Sequence, residues 1–91
     1  MAPQVAAPSS HDITLSNGLR MRYYEWAGNG PNLVFVHPSS GYGLMWDFVA
    51  RRLNGEFRIL AVDTRGHGDT ERPDSSYSAE EIAEDIHLFI E

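Results

Sequence analysis

The stretch Asn32-Leu33-Val34-Phe35-Val36-His37-Pro38-Ser39-Ser40-Gly41-Tyr42-Gly43-Leu44-Met45-Trp46 decides the fold. Four apolar residues, Leu33 to Val36, end at His37-Pro38; small residues come next, and helix-forming sequence starts near Gly43-Leu44. Strand, tight turn and helix in that order leave unpaired backbone N–H groups at the carboxyl end of a buried strand. Open α/β sheets bind ligands at such places. The stretch is therefore read as an anion or oxyanion site.

Upstream, Ile13-Thr14-Leu15 and Leu19 to Trp26 flank Ser16-Asn17-Gly18. Asn-Gly between extended runs signals a β-hairpin, because both residues tolerate positive φ. Leu19, Met21 and Tyr23 alternate with Arg20, Arg22 and Tyr24, the pattern of a half-buried strand. After the turn Ala27-Gly28-Asn29-Gly30-Pro31, the run Leu33 to Val36 reads as a strand covered on both faces. Downstream, an amphipathic helix is expected from about Leu44 to Leu53, with Trp46, Val49 and Leu53 on its inner face and Gly55 at C′. Arg58 to Val62 is a second apolar strand. Strand, helix, strand at this spacing predicts parallel strands joined by a right-handed crossover. A polar loop, Asp63 to Tyr77, leads to a capping box with Ser78 at N-cap and Glu81 at N3. The helix it opens carries Ala79, Ile82, Ala83, Ile86, Phe89 and Ile90 as its apolar stripe.

With 91 residues, one small domain is the ceiling, since domains usually run to roughly 100–150. The hydrophobic share of 42% argues against disorder. A net charge of -6 without Lys or Arg clusters speaks against nucleic-acid binding. There is no cysteine, hence no disulfide and no thiolate metal site. Residues 1–12 lack the basic and apolar regions of a signal peptide and are read as a flexible lead, and no segment nears the roughly 20 apolar residues of a membrane span. A cytoplasmic protein that binds no membrane is expected. No metal is expected either, for want of ligand pairs at a recognisable spacing.

The loop after the second strand reads Asp63-Thr64-Arg65-Gly66-His67-Gly68-Asp69-Thr70. Its glycines allow a tight turn; Asp63 and Arg65 can pair to pin it, and Asp63 can also accept backbone N–H bonds of its own loop. His67 is read as a hydrogen-bonding loop group rather than a catalytic one. This loop resembles the Asp-x-Arg-Gly-x-Gly-x-Ser loop of α/β-hydrolases, and His37 to Trp46 resembles their His-Gly oxyanion segment. Both motifs stand in order at the ends of successive strands, and the resemblance covers residues 13–91. It implies an α/β fold: the N-terminal part of an α/β-hydrolase sheet, built from a β-hairpin, a βαβ unit and a helix, and incomplete on its own.

Carried over residue by residue, the resemblance makes the Ser39 backbone N–H an oxyanion donor, placed near a helix start where charge develops on a carbonyl oxygen. His37, Pro38 and Ser40 become supports of that turn, and Asp63 and Arg65 brace the two loops. Tyr42, Leu44 and Trp46 become pocket wall. Pro38 replaces the usual glycine after the histidine, so the turn must differ, and the His37–Pro38 bond could be cis or trans. Ser40 stands where epoxide-hydrolase-like members carry proline. Ser39 is not the halide-binding side chain expected of haloalkane dehalogenases, and Thr70 stands where serine is common.

The Gly-x-Ser-x-Gly elbow that carries the family's nucleophile is absent. Ser9, Ser10, Ser16, Ser39, Ser40, Ser75, Ser76 and Ser78 all lack its flanks. The expected function is thus the N-terminal segment of a serine-type α/β-hydrolase acting on an ester, lactone or related acyl compound, needing no cofactor. The 91-residue chain is expected to be inactive by itself. Its partners would be the small-molecule substrate and a complementary C-terminal segment or second chain carrying nucleophile, acid and histidine. That segment would also cover the free edge of the Leu33–Val36 strand, which the chain needs for stability; a swapped copy could serve instead. One alternative is a non-catalytic truncated module used in binding or dimerisation. A remoter one is a dinucleotide-binding βαβ unit, with Gly41-x-Gly43 at the turn and Asp63 on the ribose, against which Trp46 occupies the third glycine position.

Overall fold

The computed structural model of the chain describes residues 7–53, 55–74 and 77–90. Four strands, Ser9–Thr14 (β1), Arg20–Trp26 (β2), Asn32–Val36 (β3) and Arg58–Val62 (β4), form one sheet in the order β1-β2-β4-β3. A 3-10 turn, Gly43–Trp46, leads into helix α1, Asp47–Leu53. Helix α2 spans Ala79–Ile90. The architecture is that expected of the first part of an α/β-hydrolase sheet.

The hairpin forms where Asn-Gly placed it, by a different turn. Only Gly18 is left-handed, at φ +92°. Gly18 N–H donates to the Leu15 carbonyl and Leu15 N–H to that of Leu19, each at 2.8 Å. This is a type I turn closed by a glycine bulge. The Asn17 carboxamide oxygen accepts Leu19 N–H at 3.1 Å, which spares Asn17 any positive φ. Pairing runs from Thr14 beside Arg20 to Ser9 beside Glu25, so β1 reaches four residues into the expected lead. Met1 to Ala6 of that lead, Ser75, Ser76 and Glu91 lie outside the described residues.

β3 and β4 pair in parallel, with Val34 beside Leu60, as strand, helix and strand implied. β4 is central and also pairs antiparallel with β2, Tyr24 beside Ala61. Its residues Ile59 to Val62 are all buried. On one face Tyr24, Trp26, Ile59 and Ala61 pack with Ala50 of α1. On the other, Leu15, Leu19, Met21 and Val62 pack with Leu88 and Phe89 of α2. Each large side chain so buried is worth about 1.5–3 kcal/mol.

Three expectations change. β3 is not covered on both faces: Leu33 and Phe35 pack toward α1, while Val36 is 40% exposed on the opposite face. β3 is the edge strand, as expected of this chain by itself, and α2 packs over β2 and the end of β4. In α1, Ala50 is the fully buried residue, and Val49, expected inside, is 39% exposed. The 3-10 turn winds at about 3.0 residues per turn, so a uniform 3.6 period misplaces the faces of α1. In α2, the buried residue is Asp85. The stripe residues Ala79, Ile82, Ala83 and Ile86 instead line a groove beside Val36, and Ile90 is exposed. Ser78 caps α2 as expected, accepting Glu81 N–H at 3.2 Å. Among the described residues, no helix is long and apolar enough to cross a membrane.

Candidate functional site

The chain leaves β3 at His37 and turns at once. Gly41 N–H donates to the Pro38 carbonyl at 2.8 Å, closing a four-residue turn with Ser39 and Ser40 at its centre. The buried His37 ring ties that turn to the next loop. Its Nε2 lies 3.0 Å from the Thr64 N–H nitrogen and must accept from it. In the neutral ring Nδ1 then carries the proton, which it donates to the Pro38 carbonyl at 2.7 Å. The carbonyl of the Pro38–Ser39 peptide is thus held twice. The N–H of the same peptide, on Ser39, has no acceptor among the described residues. Among the described residues no peptide bond is cis, so His37–Pro38 is trans.

Asp63 binds the turn to the sheet. One carboxylate oxygen accepts Gly43 N–H at 2.6 Å and the other accepts Asp69 N–H at 3.0 Å. Its carbonyl accepts the Thr70 hydroxyl at 2.6 Å, and that oxygen accepts Arg22 N–H at 2.8 Å. Thr70 therefore does here what the common serine would do. A Cβ on Gly43 would lie 3.1 Å from both the Asp63 carboxylate and the Tyr24 ring, so a side chain there would push these neighbours back by a few tenths of an ångström. Gly68 is left-handed at φ +52°, and a Cβ there would run into the Asp63 carboxylate. Burial, then the nearby Asp63 charge, pushes the Tyr24 phenol above its ordinary value.

The expected pair between Asp63 and Arg65 does not form; their side chains part. Asp63 turns to the backbone N–H groups of Gly43 and Asp69. Arg65 turns to α2, where Nε and Nη2 donate to the two oxygens of Asp85 at 2.6 and 2.9 Å. Nη1 donates to Glu81 at 3.0 Å, and the Asn17 carboxamide joins Asp85 from the hairpin at 2.9 Å. The Asp85 hydrogen bond raises the Arg65 guanidinium above its ordinary value. Sequence reading missed Asp85. Its signal was a carboxylate on the side of α2 that also carries Leu88 and Phe89.

The assigned pocket wall divides. Trp46 packs on Phe35 with ring centroids 5.1 Å apart and belongs to the core. Tyr42 and Leu44 are exposed by 53% and 40%. Pro38, Ser39 and Ser40 are exposed. Beside them opens a groove of about 290 Å³ with Ser39, His37, Thr64 and His67 on one side and Ile82, Ala83 and Ile86 on the other. Ser9 reaches Nε2 of His11 at 2.8 Å, but Glu25 approaches that same nitrogen, so no nucleophile triad is formed. Among the described residues no three His, Asp or Glu converge in an arrangement fit to hold a metal. The dinucleotide reading loses its site: the Asp63 carboxylate holds the Gly43 N–H where a phosphate would sit, and is too buried and engaged to bind ribose.

A model of the family described as alpha/beta hydrolase matches residues 33–91. N-formylmaleamate deformylase of Pseudomonas putida is 35% identical over 75 residues, covering 81% of this chain and 28% of the relative. The soluble epoxide hydrolase of a Corynebacterium species is 37% identical over 83 residues, 89% of this chain and 28% of the relative. Among solved structures, E-2-(acetamidomethylene)succinate hydrolase superposes with a TM-score of 0.85 at 28% identity, over 92% of this chain and 31% of that one. The chain thus spans less than a third of the length of these proteins.

Proposed function

The chain belongs to the alpha/beta hydrolase family, and on that premise we propose that it supplies the oxyanion-stabilising turn of a hydrolase acting on an ester, lactone or related acyl compound. The observation that carries the reading is the Pro38–Ser39 peptide. Its carbonyl is tied back by His37 and Gly41, and its N–H is left without an acceptor at the carboxyl end of β3. A substrate carbonyl oxygen placed there gains charge as a nucleophile adds to the carbon. A donor fixed beforehand stabilises that charge without reorganising. His37, Asp63, Thr64 and Thr70 hold the turn, and Arg65 anchors its loop to α2. Nucleophile, acid and proton-transferring histidine are assigned to polypeptide outside these residues, so the 91-residue chain alone is expected to be inactive.

That complementary polypeptide has a place to bind. The outer edge of β3 is unpaired among the described strands, and the apolar residues Ile82, Ala83 and Ile86 face the groove next to it. The same open surface supports the alternative of a binding or dimerising module, which predicts no turnover in any assembled form.

The test uses the full-length protein with p-nitrophenyl acetate. Ser39→Ala keeps the N–H and should keep kcat. Ser39→Pro removes it and should lower kcat by about 100-fold or more. Equal rates for the two variants would sink the oxyanion assignment.

A further inference from the structure

Building on the oxyanion reading above, we propose that His67 is a positioning residue of that turn, acting on its middle peptide through the Ser39 carbonyl. Nε2 of His67 lies 2.6 Å from that carbonyl oxygen. Two acceptors do not meet at this distance, so Nε2 carries a proton and donates it. Nδ1 faces the Thr64 hydroxyl at 3.1 Å and the Arg65 carbonyl at 3.0 Å. Nδ1 can accept the Thr64 O–H in the neutral ring, and can donate to the Arg65 carbonyl when both ring nitrogens carry protons.

Thr64 touches both imidazoles. Its backbone N–H requires a bare Nε2 on His37, and its hydroxyl lies between the rings, 3.2 Å from that Nε2 and 3.1 Å from Nδ1 of His67. The two rings stand 5.1 Å apart and tie down successive carbonyls, those of Pro38 and Ser39. A trans peptide points its C=O and N–H in opposite directions. Fixing the first carbonyl aims Ser39 N–H; fixing the second aims Ser40 N–H and keeps the Ser39 oxygen behind the turn.

The second restraint matters because the middle peptide of a four-residue turn can flip between two turn types. Flipped, it would present the Ser39 carbonyl oxygen to the developing oxyanion, a repulsive contact in place of a donor. Ser39 and Ser40 are exposed, and neither side chain has a hydrogen bond among the described residues, so no side chain of the turn restrains its middle peptide. No non-glycine residue has positive φ, so Ser40 holds the type I form that the His67 bond selects. A carbonyl that accepts a hydrogen bond also polarises its own N–H into a better donor.

The experiment compares His67→Phe with His67→Gln in the full-length protein. The glutamine amide can reach the place of Nε2 and donate; phenylalanine fills the space without donating. His67→Phe should lower kcat by about 10- to 100-fold, since small misplacements of a positioning group cost this much. KM should stay within about 2-fold, and His67→Gln should recover most of kcat. In His67→Phe the Ser39 carbonyl carbon and Ser40 amide nitrogen should shift in NMR spectra, and both should return in His67→Gln. Unchanged kcat in His67→Phe, unmoved resonances, or no recovery by glutamine would each overturn the proposal. A failure of the oxyanion reading is seen separately, in equal rates for Ser39→Ala and Ser39→Pro, while the two resonances still report whether His67 holds the turn.

Discussion

Asp63 is the residue on which the two loops converge. Its carboxylate accepts two backbone N–H groups, from Gly43 and Asp69, and offers nothing to solvent. In Asp63→Asn one oxygen becomes an NH2 that must face one of those N–H groups. Leaving a buried donor unsatisfied costs about 1–3 kcal/mol, so the urea midpoint should fall by that equivalent. In the full-length enzyme kcat should fall as well, because Gly43 starts the helix next to the oxyanion turn. Of the two partners the sequence allowed Asp63, the N–H groups of its own loop are realised, through Asp69, and Arg65 is not. Asp63 and Arg65 stand two apart, which invites a pair. The glycines at 66 and 68 bend the loop so that the carboxylate turns back to its own loop and to Gly43 while the guanidinium reaches α2, and side-chain direction in a loop is not written in spacing.

At the scale of elements, α2 is held to the rest by the packing of Leu88 and Phe89 and by a buried ion pair. Asp85 receives Arg65 through two hydrogen bonds and Asn17 through a third. Asp85→Ala would leave the Arg65 guanidinium buried and short of its main partner, at a cost of about 3–5 kcal/mol, readable as a lower urea midpoint; Asp85→Asn should cost less, because it keeps an acceptor. Periodicity found α2, and the capping box gave its first turn. It included Phe89, which packs on the sheet, and missed Asp85, because it ranks residues by apolarity and the aspartate is buried through its partners. The strands β2 and β4 are tied by a different pair. Arg58 donates to Glu25 at 2.8 Å, and that hydrogen bond, foremost, holds the Glu25 carboxyl below its ordinary value of 4.5. A carboxyl depressed in the folded state adds stability above the unfolded value and loses it as pH falls through the folded one. Acid should therefore weaken the native protein below about pH 4.5 more than it weakens Arg58→Met, as thermal melts across pH would show.

For the whole molecule, the governing fact is an open side. β3 has one partner strand, Val36 is 40% exposed, and Ile90 is 63% exposed. A flat apolar edge invites pairing with another chain. The 91-residue chain produced alone should self-associate, and Val36→Lys should shift it toward monomer in sedimentation without changing its circular dichroism. The fold class and the strand order near the site were legible because βαβ geometry leaves few arrangements. The half-buried state of β3 was not, since an apolar strand reads the same whether its cover is present or supplied by later sequence.

The hydrogen bond between Asn17 and Asp85 joins residues 68 apart in sequence. Its consequence belongs to folding order. Contacts this distant form late, because a long loop must close before they repay it. During synthesis the hairpin emerges first and can pair locally. Its tip then waits without its final partner until α2 has left the ribosome. The oxyanion turn and the Asp63 loop lie between those two points, so the segment bearing the site is assembled inside a ring whose closing link comes last.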